Sequence, residues 1–134
     1  MQDEFSRLGL SVPELHAAAV ENLAALPSAS ISIGKLPGGY EGWLSAEGDN
    51  FTAARILRPW VQREFVKELG EQFLMALSHR DDCFCWSVAQ SFERQENHAR
   101  EARERFLHEE YNLTPDILKF SGGKFVLHLE QPVP

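Results

Sequence analysis

The sequence predicts an α+β domain whose antiparallel or mixed sheet carries helices mainly on one face, in the order α-β-(β)-α-β-β-α-β-β. Three observations lead there. Several stretches carry apolar residues at helical spacing between clear start and stop signals. The strand-like stretches come as neighbours with short links, which favours adjacent pairing. And 134 residues, 43% hydrophobic and 25% charged, suit one ordinary core. No internal repeat and no linker divides the chain, so residues 1–134 read as a single domain, with 1–10 a loose lead-in whose Phe5, Leu8 and Leu10 can pack on it.

The first firm element starts at Ser11. Ser11-Val-Pro-Glu14 is a capping box, with Pro13 in the first turn where its missing N–H costs little. Leu15, Ala19, Leu23 and Leu26 mark one helical face, and Pro27 stops the helix. Ala29, Ile31 and Ile33 alternate with Ser30 and Ser32 as in a strand buried on one face. Gly34 to Gly39 reads as a turn, and Tyr40 to Ala46 as a weaker second strand. Asp49 or Asn50 can cap the next region. It divides into a short turn at 51–57 and a helix at 59–69 with Pro59 near its start, an inner stripe of Leu57, Val61, Phe65 and Leu69, and Gly70 at C′.

Phe73 to Leu77 and Cys83 to Trp86 read as strands joined by the five-residue loop Ser78–Asp82. A helix is predicted over 88–112, with Val88, Phe92, Ala99, Ala102 and Phe106 on one side and the pairs Glu96/Arg100 and Glu101/Arg105 at i,i+4. Ile117–Phe120 and Phe125–Leu129, joined around Gly122-Gly123, close the chain as a hairpin.

The formal charge of −7 would repel a phosphate backbone, which disfavours nucleic acid as a partner. The arginines from Arg94 to Arg105 are interleaved with glutamates and nearly neutral. No apolar run approaches the roughly 20 residues that span a bilayer, and the acidic start is unlike a signal peptide, so no membrane is expected. Two cysteines only two positions apart cannot staple the fold, and a cytoplasmic setting is expected.

Cys83-Phe-Cys85, with His79 and His98, has the residue types of a tetrahedral zinc set, but C-x-C is not the usual C-x₂₋₄-C spacing. In a strand both cysteines point to one face and behave as small hydrophobes, so core packing is expected and no metal or other cofactor is assigned. His79-Arg80-Asp81-Asp82 is the densest polar group. Two carboxylates beside a histidine and an arginine could hold Mg²⁺ or perform acid–base work, with His98 as a partner from the long helix. The competing reading is a hairpin turn whose aspartates bond to nearby amides. His98 itself is expected on a solvated helix flank with Arg94, Glu101 and Arg105. No phosphate loop, nucleophile elbow or H-E-x-x-H helix occurs. Trp43, in a glycine-rich stretch close to Tyr40, is the first choice for an exposed contact residue, with burial under the sheet edge the equal alternative.

Ser11-Val-Pro-Glu-Leu-His-Ala-Ala-Ala-Val-Glu-Asn-Leu23, Gly48-Asp-Asn-Phe51 with Ala54-Arg-Ile-Leu57, Ser78-His-Arg80-Asp81, and Leu113-Thr-Pro-Asp-Ile-Leu118 succeed one another as in a bacterial group of unknown function, the YtpQ-like proteins. The chain resembles the later part of those longer proteins over about residues 10–125, although Ser78-His79 replaces their proline-containing turn. The resemblance implies this order of elements and marks Arg80 and Asp81; it implies no activity, substrate or cofactor.

Two functions fit these features. One is a non-enzymatic module that binds a protein partner or itself, with Tyr40, Trp43 and Arg80 as binding candidates. The other is a small metal-dependent or acid–base hydrolase built on His79, Asp81, Asp82 and His98. A local role for Arg80, holding the hairpin against a helix, is compatible with either.

Overall fold

A computed structural model describes residues 30–45 and 52–134. The helix expected from Ser11, the lead-in and the caps at Asp49 or Asn50 lie outside the described residues. Strands β1 (Ser30–Leu36) and β2 (Gly39–Ser45) are followed by a 3₁₀ turn (Ala53–Leu57), α1 (Pro59–Leu69), β3 (Gln72–Ala76), β4 (Cys83–Ser87), α2 (Phe92–His108), β5 (Ile117–Ser121) and β6 (Lys124–Leu129). All the described strands join one six-stranded sheet in the order β1-β2-β4-β3-β5-β6, and every neighbouring pair is antiparallel.

The first hairpin is tighter than its glycines suggest. β1 runs on to Leu36, which pairs with Gly39, so the turn is Pro37-Gly38 alone and not the whole of Gly34–Gly39. Pro37 has no N–H for the ladder and sits where the ladder ends. Gly34 stays within the strand opposite Glu41.

The sheet is covered on both faces. Val61, Phe65 and Leu69 of α1 pack with Phe73, Met75, Cys83, Cys85 and Phe120. Ala99 and Ala102 of α2 pack with Leu74, Ala76, Phe84, Trp86 and Ile117. Neighbouring residues of β3, β4 and β5 thus divide between the two clusters, and the described helices lie on opposite faces. The described pair therefore does not share a face, and the third helix of the expected one-sided arrangement, that from Ser11, lies outside the described residues. The physical reason stands in the strands: β3 and β4 are apolar at successive positions, Phe73-Leu-Met-Ala76 and Cys83-Phe-Cys-Trp86, and such strands need cover on both sides.

Helix ends explain the other differences. Leu57 is 53% exposed and leaves the expected stripe of α1, because Arg58 is extended (φ −77°, ψ 129°) and resets the helical register. α2 begins at Phe92 and not at 88, since Ser91 is its cap and accepts from the Arg94 N–H at 3.2 Å. Val88 and Phe92 therefore stand outside, at 45% and 77% exposure. The helix ends at His108, ahead of Tyr111 with its positive φ of 56°.

Gly42 positions β2 against α1. A Cβ there would lie 2.7 Å from Ile33 Cδ1 and 3.0 Å from Phe65 Cε1, so the glycine lets the helix ride close over the strand. The neighbouring residues Glu41 and Trp43 consequently face the other way, towards α2.

Candidate functional site: a polar cleft between α2 and the sheet

On the α2 side a cleft of about 280 Å³ opens between the helix and strands β2 and β4. Its floor is aromatic. Trp43 pairs with Phe84 across β2 and β4, ring centroids 5.0 Å apart, and Phe84 lies 5.4 Å from Trp86. The His98 imidazole comes down from α2 onto this bed, 4.9 Å from Phe84 and 4.8 Å from Trp86. His98 is only 7% exposed, which corrects the solvated flank expected for it.

One end of the cleft is a four-residue polar network. His98 Nε2 lies 2.8 Å from Gln90 Oε1 and 3.1 Å from Glu41 Oε2. Gln90 Nε2 donates to Glu41 Oε2 at 3.1 Å, and Arg94 donates to Glu41 Oε1 at 2.8 Å. Gly39 makes room for this: with φ 125°, it lies against Gln90, whose Cγ would be 3.1 Å from an added Cβ. Burial alone would raise the Glu41 carboxyl, but the hydrogen bonds from Arg94 and Gln90 and the charges of Arg94 and His98 outweigh it and hold the pKa low. Burial lowers the His98 pKa; Glu41 pulls it up, Arg94 pushes it down, and the net direction is down. At neutral pH the pair is therefore a carboxylate beside a neutral imidazole.

The other end is an ion pair, Arg105 to Asp82 at 2.8 Å, which joins α2 to the loop after β3. Arg105 thus reaches Asp82 and not Glu101, its expected helical partner, and Arg100 bonds Asn97 at 2.6 Å and not Glu96. Ser78 also lines the cleft; its fully buried Oγ has no hydrogen-bond partner among the described residues.

Of the residues singled out from sequence, the fold brings His98, Asp82 and Trp43 to this cleft and leaves His79 and Asp81 off its lining. The loop is built as a turn. Asp82 N–H donates to His79 O at 3.0 Å, and Asp81 N–H donates to His79 Nδ1 at 3.1 Å. The Arg80 carbonyl accepts from Ala53 N–H at 2.9 Å, and its guanidinium lies 3.5 Å from the centre of the Tyr111 ring, with Nε 3.8 Å from Asp81. Arg80 thus ties the hairpin to the segment that follows α2. Tyr40 is half-exposed but, by strand alternation, faces α1, so it does not share a surface with Trp43.

The zinc set does not assemble. Cys83 and Cys85 are buried in the α1-side core, whereas His98 is on the α2 side. Burial, and then the neighbouring Cys83, push the Cys85 thiol well up, which removes it as a nucleophile. Among the described residues no group of three or more His, Cys, Asp or Glu is placed to hold a metal ion. None of their helices is long and apolar enough to cross a membrane.

Sequence reasoning missed Glu41 and Gln90. Glu41 carried one usable signal, as the only charged residue of a strand that also holds a tyrosine, a tryptophan and two glycines. Gln90 carried none, since it reads as an ordinary helix residue until Ser91 is known to be the cap. No family model, curated protein or solved structure matches this chain.

Proposed function

We propose that this domain is a non-enzymatic interaction module that engages a protein partner, or a second copy of itself, at the α2-side cleft beside Trp43. One observation carries the reading: the cleft's histidine and two of its three carboxylates are bound to partners within the fold. Glu41 is held by Arg94, Gln90 and His98, and Asp82 by Arg105. A carboxylate neutralised by an arginine is a poor base, and Ser78 Oγ makes no hydrogen bond to His98 that would activate it. Such a fixed arrangement of charges around a half-exposed tryptophan suits recognition, where a preorganised surface loses little entropy on binding.

The hydrolase reading gains only the sharing of one cleft by Asp82 and His98, while its other members, His79 and Asp81, lie outside. A bacterial origin and membership of the YtpQ-like group belong to the same proposal and rest on the sequence resemblance, and a cytoplasmic setting belongs to it on the cysteine usage. Light scattering over a concentration series, with retrieval from a cell lysate, tests the reading. The expected result is self-association or one retained partner, lost in Trp43→Ala. A strict monomer that retains nothing contradicts it.

A further inference from the structure

We infer that the α2-side cleft receives the guanidinium of an arginine carried by a partner polypeptide, stacked on Trp43 and paired with Glu101; this rests on the interaction-module reading and names the chemistry of its partner. The argument begins with charge matching. The carboxylates Glu41, Asp82 and Glu101 and the guanidiniums of Arg94 and Arg105 line the cleft. Arg94 serves Glu41 and Arg105 serves Asp82, each at 2.8 Å. Glu101 has no ion pair among the described residues, because the arginine one turn further on is drawn to Asp82. With His98 neutral, one negative charge in the cleft is uncompensated, in a chain of net charge −7. Local and long-range fields both favour a cation.

The aromatic wall selects the kind of cation. Trp43 is 37% exposed, rests against Phe84 and comes from the wall opposite α2. Tryptophan is the best aromatic partner for a cation, and a guanidinium is planar and weakly hydrated, so it stacks where an ammonium stays solvated. Ser78 supplies the second, independent sign: a fully buried hydroxyl oxygen without a partner, in the lining of the same cleft, available to accept an N–H. An anionic ligand would have to draw Arg94 or Arg105 away from a carboxylate that is itself largely buried, which is costly.

The test is an NMR titration of the full chain with blocked Gly-Arg-Gly and its lysine, citrulline and glutamate counterparts. The arginine peptide is expected to shift the indole N–H signal that disappears in Trp43→Ala, together with amides around Glu101. Glu101→Gln, an exposed change that leaves the fold intact, is expected to weaken binding about fivefold. Lysine should bind more weakly, and citrulline and glutamate should leave the cleft unshifted. Citrulline or glutamate acting as well as arginine, unchanged affinity in Glu101→Gln, or no shift with arginine overturns the inference. If such a result accompanies self-association or a retained partner that Trp43→Ala abolishes, only the arginine assignment falls. A strict monomer that retains nothing and shows no cleft shift with any probe removes the interaction reading as well.

Discussion

Glu41 and His98 meet because β2 alternates and α2 crosses over it, and their titration should be visible in stability. The folded His98 resists protonation, while the unfolded one binds a proton near its ordinary value of 6.5. Stability should therefore fall as the pH drops from 6.5 towards the lowered folded value. Glu41 acts in the same direction further down: its contribution is complete above 4.5 and is lost as the pH falls through its lowered folded value. Calorimetry across this range should show a declining melting temperature, with the upper part of the decline flattened in His98→Gln; an identical pH profile in that variant would contradict the assignment. Removing the carboxylate by Glu41→Ala leaves Gln90, His98 and Arg94 short of a partner and should cost about 1–3 kcal/mol by denaturant unfolding. Arg80→Ala, which deletes the stack on Tyr111, should cost about 1 kcal/mol. An unchanged melting temperature there would favour a binding role for Arg80 over its local one.

At the scale of the elements, the capped and periodic parts were legible. Gly70 ends α1 where its position after Leu69 suggests, and the strands holding Phe73 and Cys83 start within a residue of where their apolar runs begin. The misreadings share one cause, a local geometry that resets the period. Ser91 was legible as a cap in principle, but Val88 extends the apolar pattern backwards and hides it. Ser91→Ala should cost about 1 kcal/mol of stability. Gly42 is the clearer test of how β2 and α1 fit: Gly42→Ala crowds Ile33 and Phe65 and should destabilise by about 1–3 kcal/mol in thermal or denaturant unfolding. A neutral result would mean that α1 does not ride on that strand.

For the molecule as a whole, the described chain is an antiparallel sheet between two helices, with the dry cysteine-containing core under α1 and the polar cleft under α2. The α+β class was readable because paired strands and capped helices are local signals. The two-sided cover of the described strands was not read, although the unbroken apolar runs of β3 and β4 carry its signal. The site was not, because Glu41 and His98 are 57 positions apart in sequence and only the β2–β4 pairing brings them together. Asp82 was found for its neighbours and not for its partner: Arg105 comes from a helix whose rotation no single sequence reveals.

The claim that the α2-side cleft is where this domain meets its partner is tested most directly by hydrogen–deuterium exchange of the free and the associated protein. The expected result is added protection in β2 and along the middle of α2, with α1 and β6 unchanged. Protection confined to the β6 edge or to α1, with β2 and α2 exchanging as in the free protein, would contradict it.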